Sequence, residues 1–133
     1  MGFIKQIPSR VRSAVVFQTI GLSNNRDAFM DMFDGWARDL KTKQPDVDEA
    51  AWEKFKHSMF GGEFLFNVDE AFVTNCRTPL MVLMGNDLYH PEETSRKIAT
   101  LAPSATFVEY WKESQYVEAA KTSIFQFLAT NSD

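Results

Sequence analysis

Arg77-Thr-Pro-Leu-Met-Val-Leu-Met-Gly-Asn-Asp-Leu-Tyr-His-Pro91 reads as an apolar strand that breaks at a glycine, presents Asp87 and His90, and enters a helix at Pro91. Pro79 to Met84 is apolar without alternation, the pattern of a strand buried on both faces. Pro91 suits the first helical position, where its missing N–H costs nothing, and Glu92 and Glu93 suit the positive end of the helix dipole. Reactive groups collect at such strand ends in α/β proteins. A nucleophile in a glycine-rich turn is absent from the 133 residues.

Working outward, the helix after Pro91 is expected to run to about Leu101, followed by a third strand over Ala105–Trp111. A last helix over Ser114–Ala129 should turn Tyr116, Ala120, Ile124, Phe127 and Leu128 inward, leaving a polar tail from Thr130 to Asp133. Upstream, Pro8 closes a short lead containing Phe3, Ile4 and Ile7. Val11–Gln18 then reads as a β-branched strand covered on both faces. From Arg26 to Leu40, Phe29, Met32, Phe33, Trp36 and Leu40 recur at three and four, one side of a helix that Asn25 would cap. Trp52, Phe55 and Met59 mark another helix, with Asp46 and Glu49 resembling a capping box and Gly61-Gly62 ending it. Glu63 to Asn75 fits a loop leading into a short helix from about Val68.

Strands alternating with helices imply a parallel sheet. The expected fold is α/β: one domain over 1–133, a three-stranded parallel sheet with flanking helices and a helical insertion over about 26–75. A net charge of −4 and scattered basic residues argue against nucleic acid. Lys5, Arg10 and Arg12 interrupt the early apolar residues, and no run is long enough to span a bilayer, so no membrane association is expected. The single Cys76 excludes an intrachain disulfide framework and suits the cytoplasm.

The order Pro-Ser-Arg-Val-Arg-Ser-Ala-Val-Val, helical insertion, Thr-Pro-Leu-Met-Val-Leu-Met-Gly-Asn-Asp-Leu-Tyr-His-Pro, Ile-Ala-Thr-Leu-Ala-Pro-Ser-Ala and a closing Ile-Phe-Gln-Phe-Leu resembles the C-terminal half of an α/β-hydrolase. On that resemblance the strands are the sixth, seventh and eighth of the family, the insertion is its cap, and the chain is truncated before the nucleophile elbow. Asp87 matches the acid of the triad, although Gly85 precedes it by two residues where the commoner pattern has three. The Gly-Xaa-Ser-Xaa-Gly elbow is absent, and Trp111–Tyr116, where the family places its histidine, contains none.

Each candidate residue therefore carries two readings. Asp87 either orients an imidazole or accepts backbone N–H groups of its own loop, and without a histidine after the third strand the second is favoured. His90 would be the imidazole nearest in sequence, yet three residues is a short spacing for a productive pair, and a cap before Pro91 serves as well. His57 reads as a solvated residue on the cap. Two histidines and one cysteine make a poor metal inventory, and no metal or cofactor is expected. Phe33, Trp36, Trp52 and Phe55, with Phe29, Phe60, Phe64 and Phe66, either line an apolar ligand pocket or pack the cap; Gln18, ending the first strand, would line the same cleft.

An apolar edge strand at Val11–Phe17 calls for a partner. The expectation is a homodimer or higher homo-oligomer without autonomous catalysis, with an apolar small molecule under the cap as a further expectation. The alternatives are a hydrolase of ester or related acyl bonds, active with an N-terminal half on a separate chain or with a neighbouring subunit, and a protein interaction module.

Overall fold

The computed structural model describes residues 1–132. Helix α1 (Gly2–Gln6) and a 3-10 turn (Pro8–Arg10) precede β1 (Ala14–Phe17). Helices α2 (Arg26–Lys43), α3 (Glu49–Phe60) and α4 (Glu70–Thr74) separate it from β2 (Leu80–Leu83). Then come α5 (Glu92–Leu101), β3 (Ala105–Val108) and α6 (Val117–Thr130). The sheet order is β1-β2-β3, parallel throughout, with Ala14 opposite Leu80 and Leu80 opposite Ala105.

Register divides the sheet into two faces. Ala14, Val16, Leu80, Val82, Ala105 and Phe107 share one face. That face joins a core with Ile4 of α1, Phe64, Val68, Val73 and Ile98 of α5. Val15, Phe17, Met81, Leu83, Thr106 and Val108 form the other. There, a cavity of about 620 Å³ lies between Met81 and Thr106 and the α6 residues Ser123 and Phe127. The second core belongs to the cap, where Phe29, Phe33, Ala37, Trp52 and Phe60 are buried with Trp36, Phe66 and Tyr89 against them.

Several sequence expectations need correction. The first strand is shorter than Val11–Gln18 and is not covered on both faces: it is an edge strand, and Phe17 is 50% exposed. The third strand ends at Val108, three residues before Trp111. Asn25 occupies the cap position of α2 but makes no capping bond there. Asp48, not Asp46, caps α3 by accepting from the Ala51 N–H at 2.7 Å. Pro91 stands at the cap of α5, one position before the helix proper. On α6 only Ala120 is buried, because no second layer covers this helix; Tyr116 and Leu128 are exposed. Thr130 closes α6 and is not in the tail, whereas Asp133 lies outside the described residues. Phe64 joins the sheet core and not the cap. The chain reverses at Phe64 and Phe66 (φ 51° and 62°), a left-handed conformation uncommon for aromatic residues, and the two rings enter different cores.

Candidate functional site

The C-terminal ends of the strands place Asp87 and His90 in one tight loop. Asp87 Oδ1 accepts from the backbone N–H groups of Tyr89 at 3.0 Å and His90 at 2.9 Å, and lies 2.7 Å from His90 Nδ1. The Asp87 N–H donates back to the His90 carbonyl at 3.3 Å. The short spacing is thus no obstacle to pairing, because the loop folds onto itself. That reversal is why position 85 is glycine: a Cβ there would stand 2.2 Å from the His90 carbonyl oxygen.

The loop is fixed from below by buried Ser95, whose hydroxyl accepts from the Gly85 N–H at 3.0 Å. Trp111 Nε1 donates to the Met84 carbonyl at 2.9 Å and its ring packs edge-on against Phe17. Lys112 Nζ donates to Asn86 Oδ1 at 2.5 Å. Asn25, 5% exposed, donates to the carbonyls of Gly21 and Leu88 and accepts from the Ser23 N–H. It therefore ties the loop after β1 to the acid loop, a stronger use than a helix cap. Tyr89 extends the loop into the cap core against Phe29.

Slight burial raises the Asp87 carboxyl. The hydrogen bonds from the His90 ring and from the His90 and Tyr89 amides outweigh it, holding the group below its ordinary value. An Nδ1–H donated to the carboxylate leaves Nε2 of a neutral His90 as the ring's lone-pair nitrogen. Chemically this is an oriented imidazole without a nucleophile: among the described residues no hydroxyl or thiol hydrogen-bonds to the ring. Beside it a polar hollow of about 460 Å³ is lined by Asn24, Asn86, Asp87 and Glu93. No three metal-ligating side chains converge among the described residues.

The remaining sequence candidates lie apart from this loop. Gln18 follows β1 with φ 43° and donates its N–H to the Leu83 carbonyl. Phe33 and Trp52 are buried in the cap core, Trp36 is half-buried, and Phe55 is 48% exposed against Phe33 and Trp36. His57 is exposed on α3 with Glu53 beside it. Sequence reasoning missed Arg26, which donates to the carbonyls of Phe60 and Gly62 and pairs with Glu63, pinning the end of α3 to the start of α2. Its position in the first turn of a helix carries no sign of that task.

No family model matches the chain, and no curated protein does. Among solved structures the chain is similar to BpoC of Mycobacterium tuberculosis H37Rv, described as a non-heme bromoperoxidase. The TM-score is 0.57 at 20% identity, over 97% of this chain and 63% of that one. That neighbour is an α/β-hydrolase-fold protein, and the likeness establishes an α/β-hydrolase-like fold here. The chain spans less than two thirds of its neighbour's length. No helix among the described residues is long and apolar enough to cross a membrane.

Proposed function

We propose that this chain is an α/β-hydrolase-like domain without triad catalysis of its own, working as a homodimer or higher homo-oligomer. The observation that carries this reading is the occupation of Asp87, whose Oδ1 already serves two amides and the His90 ring. In this reading β1, β2 and β3 stand as the sixth, seventh and eighth strands of the family, and Asp87 holds the acid position. Oδ1 is thus taken by the loop itself, and residues 111–116 offer no histidine to the remaining oxygen. Self-association is supported by the apolar edge at β1, where Phe17 and Ile20 are exposed, and by the thinly buried α6.

The test is turnover of activated aryl esters alongside the solution mass. A mass of two or more chains is expected, with no hydrolysis beyond that of free imidazole and none that depends on Asp87. Robust ester hydrolysis lost in Asp87→Asn would overturn the reading.

A second reading is a hydrolase completed by an N-terminal half on a separate chain or by a neighbouring subunit; it is favoured by the 63% coverage of the neighbour together with an unpaired edge at β1. Co-purification of a chain bearing a serine nucleophile would select it. A protein interaction module is the remaining alternative, supported by the same apolar surface. An apolar small molecule at the cap would meet Phe55, the ring of that cluster that is exposed, beside half-buried Trp36. A cytoplasmic placement is the reading that the single thiol supports.

A further inference from the structure

At the end of the sheet opposite Asp87, the local charge is opposite in sign to that of the chain as a whole. A cavity of about 460 Å³ opens where β1 and β2 begin, bounded by α1, α4 and the approach to β2. Ile4, Val11, Phe72 and Cys76 give it an apolar lining, and Arg12 and Arg77 line it too, both exposed. Among the described residues no carboxylate joins that lining, although the chain has 18 acidic and 14 basic residues. The acidic residues of nearby α4 are occupied elsewhere: Asp69 caps the helix through the Phe72 N–H, and Glu70 pairs with Lys97 at 2.5 Å. Lys5 adds positive charge, its Nζ 6.0 Å from the centroid of the Phe72 ring. The contrast with another hollow of the molecule is direct, since the one beside Leu22 and Thr94 carries Glu63, Asp69, Glu70 and Glu93 against Lys97 alone.

Arg12 donates to the Ser132 carbonyl, which leaves further N–H groups on its fork. Arg77 makes no ion pair among the described residues. Guanidinium groups match the two oxygens of a carboxylate, and an apolar wall favours a hydrocarbon over water. The volume lies within the range of small-molecule sites. We propose that this cavity binds an aliphatic carboxylate, its tail against Ile4, Val11, Phe72 and Cys76 and its head held by Arg77 and Arg12. The site is distinct from the cap and from the acid loop, and the assignment does not depend on whether the domain is catalytic.

The experiment is a titration of the full chain with decanoate below its micelle concentration, followed by methyl NMR of Ile4 and Val11 and by the alkylation rate of Cys76. Saturable shifts at Ile4 and Val11 and slower alkylation of Cys76 are expected, with cap methyls such as Met59 and Leu40 unmoved. Each methylene removed from the tail should weaken binding about fourfold. Arg77→Gln should weaken decanoate about fivefold while leaving decanol unchanged, and Arg77→Lys should restore part of the loss. Equal binding of decanoate and decanol to the native chain, shifts confined to the cap, or no shift at all would each overturn the assignment. Because Arg77 is exposed, its substitutions leave the fold intact.

Discussion

The two faces of the sheet receive unequal cover. On the face that includes Val16, Leu80 and Val82, α5 seats Ile98 at 0% exposure and α4 adds Val73. On the opposite face α6 buries only Ala120, leaves a cavity above Met81 and Thr106, and exposes Phe125 at 71%. Both helices follow strands of the same length, so the difference lies in the layers around them. One helix packs into a core that also draws on α1, α4 and the loop through Phe64 and Val68; the other has no neighbouring helix to close the groove. The α5 face is therefore the more completely closed of the two, and the α6 face the more open.

The largest effect expected from this comparison is at Ile98. Ile98→Ala should cost about 2–5 kcal/mol of unfolding free energy in denaturant titrations, because it opens a cavity in a closed core. A cost as small as that of a surface substitution would show that the faces are equivalent. Trp111→Phe should cost about 1 kcal/mol by losing the Nε1 donor to the Met84 carbonyl, and a change that also loosens Phe17 would show in the β1 amide exchange rates.

Phe125→Ser should alter chain stability by no more than about 0.5 kcal/mol while shifting the solution mass toward the single chain, most clearly when combined with Phe17→Ser. An unchanged oligomer in the double variant would place association elsewhere. A modest, pH-dependent effect belongs to the acid loop, at the C-terminal end of the sheet. Asp87 has a depressed folded value, so its contribution is present above the unfolded carboxylate value and disappears as pH falls through the folded one. Asp87→Asn should cost under about 1 kcal/mol at neutral pH, since the side chain is half-exposed, and should flatten that acid limb in pH-dependent unfolding. An unaltered acid limb would remove Asp87 from the linkage.

The sequence by itself determined the elements whose signals are local. Apolar runs gave the three strands, spacing of three and four gave α2 and α3, and the Gly85–Pro91 punctuation located the acid loop, because strand and helix periods are written into consecutive residues. The pairing of Asp87 with His90 could be raised there but was disfavoured by its short spacing, since it depends on a backbone reversal that only a glycine at position 85 permits. The tertiary structure alone decided which face of α6 stays open, that Asn25 acts as a tie and not a cap, and that Arg26 pins the end of α3. It also gathered arginines that look scattered along the chain around one cavity, because distant segments come together only when the sheet assembles.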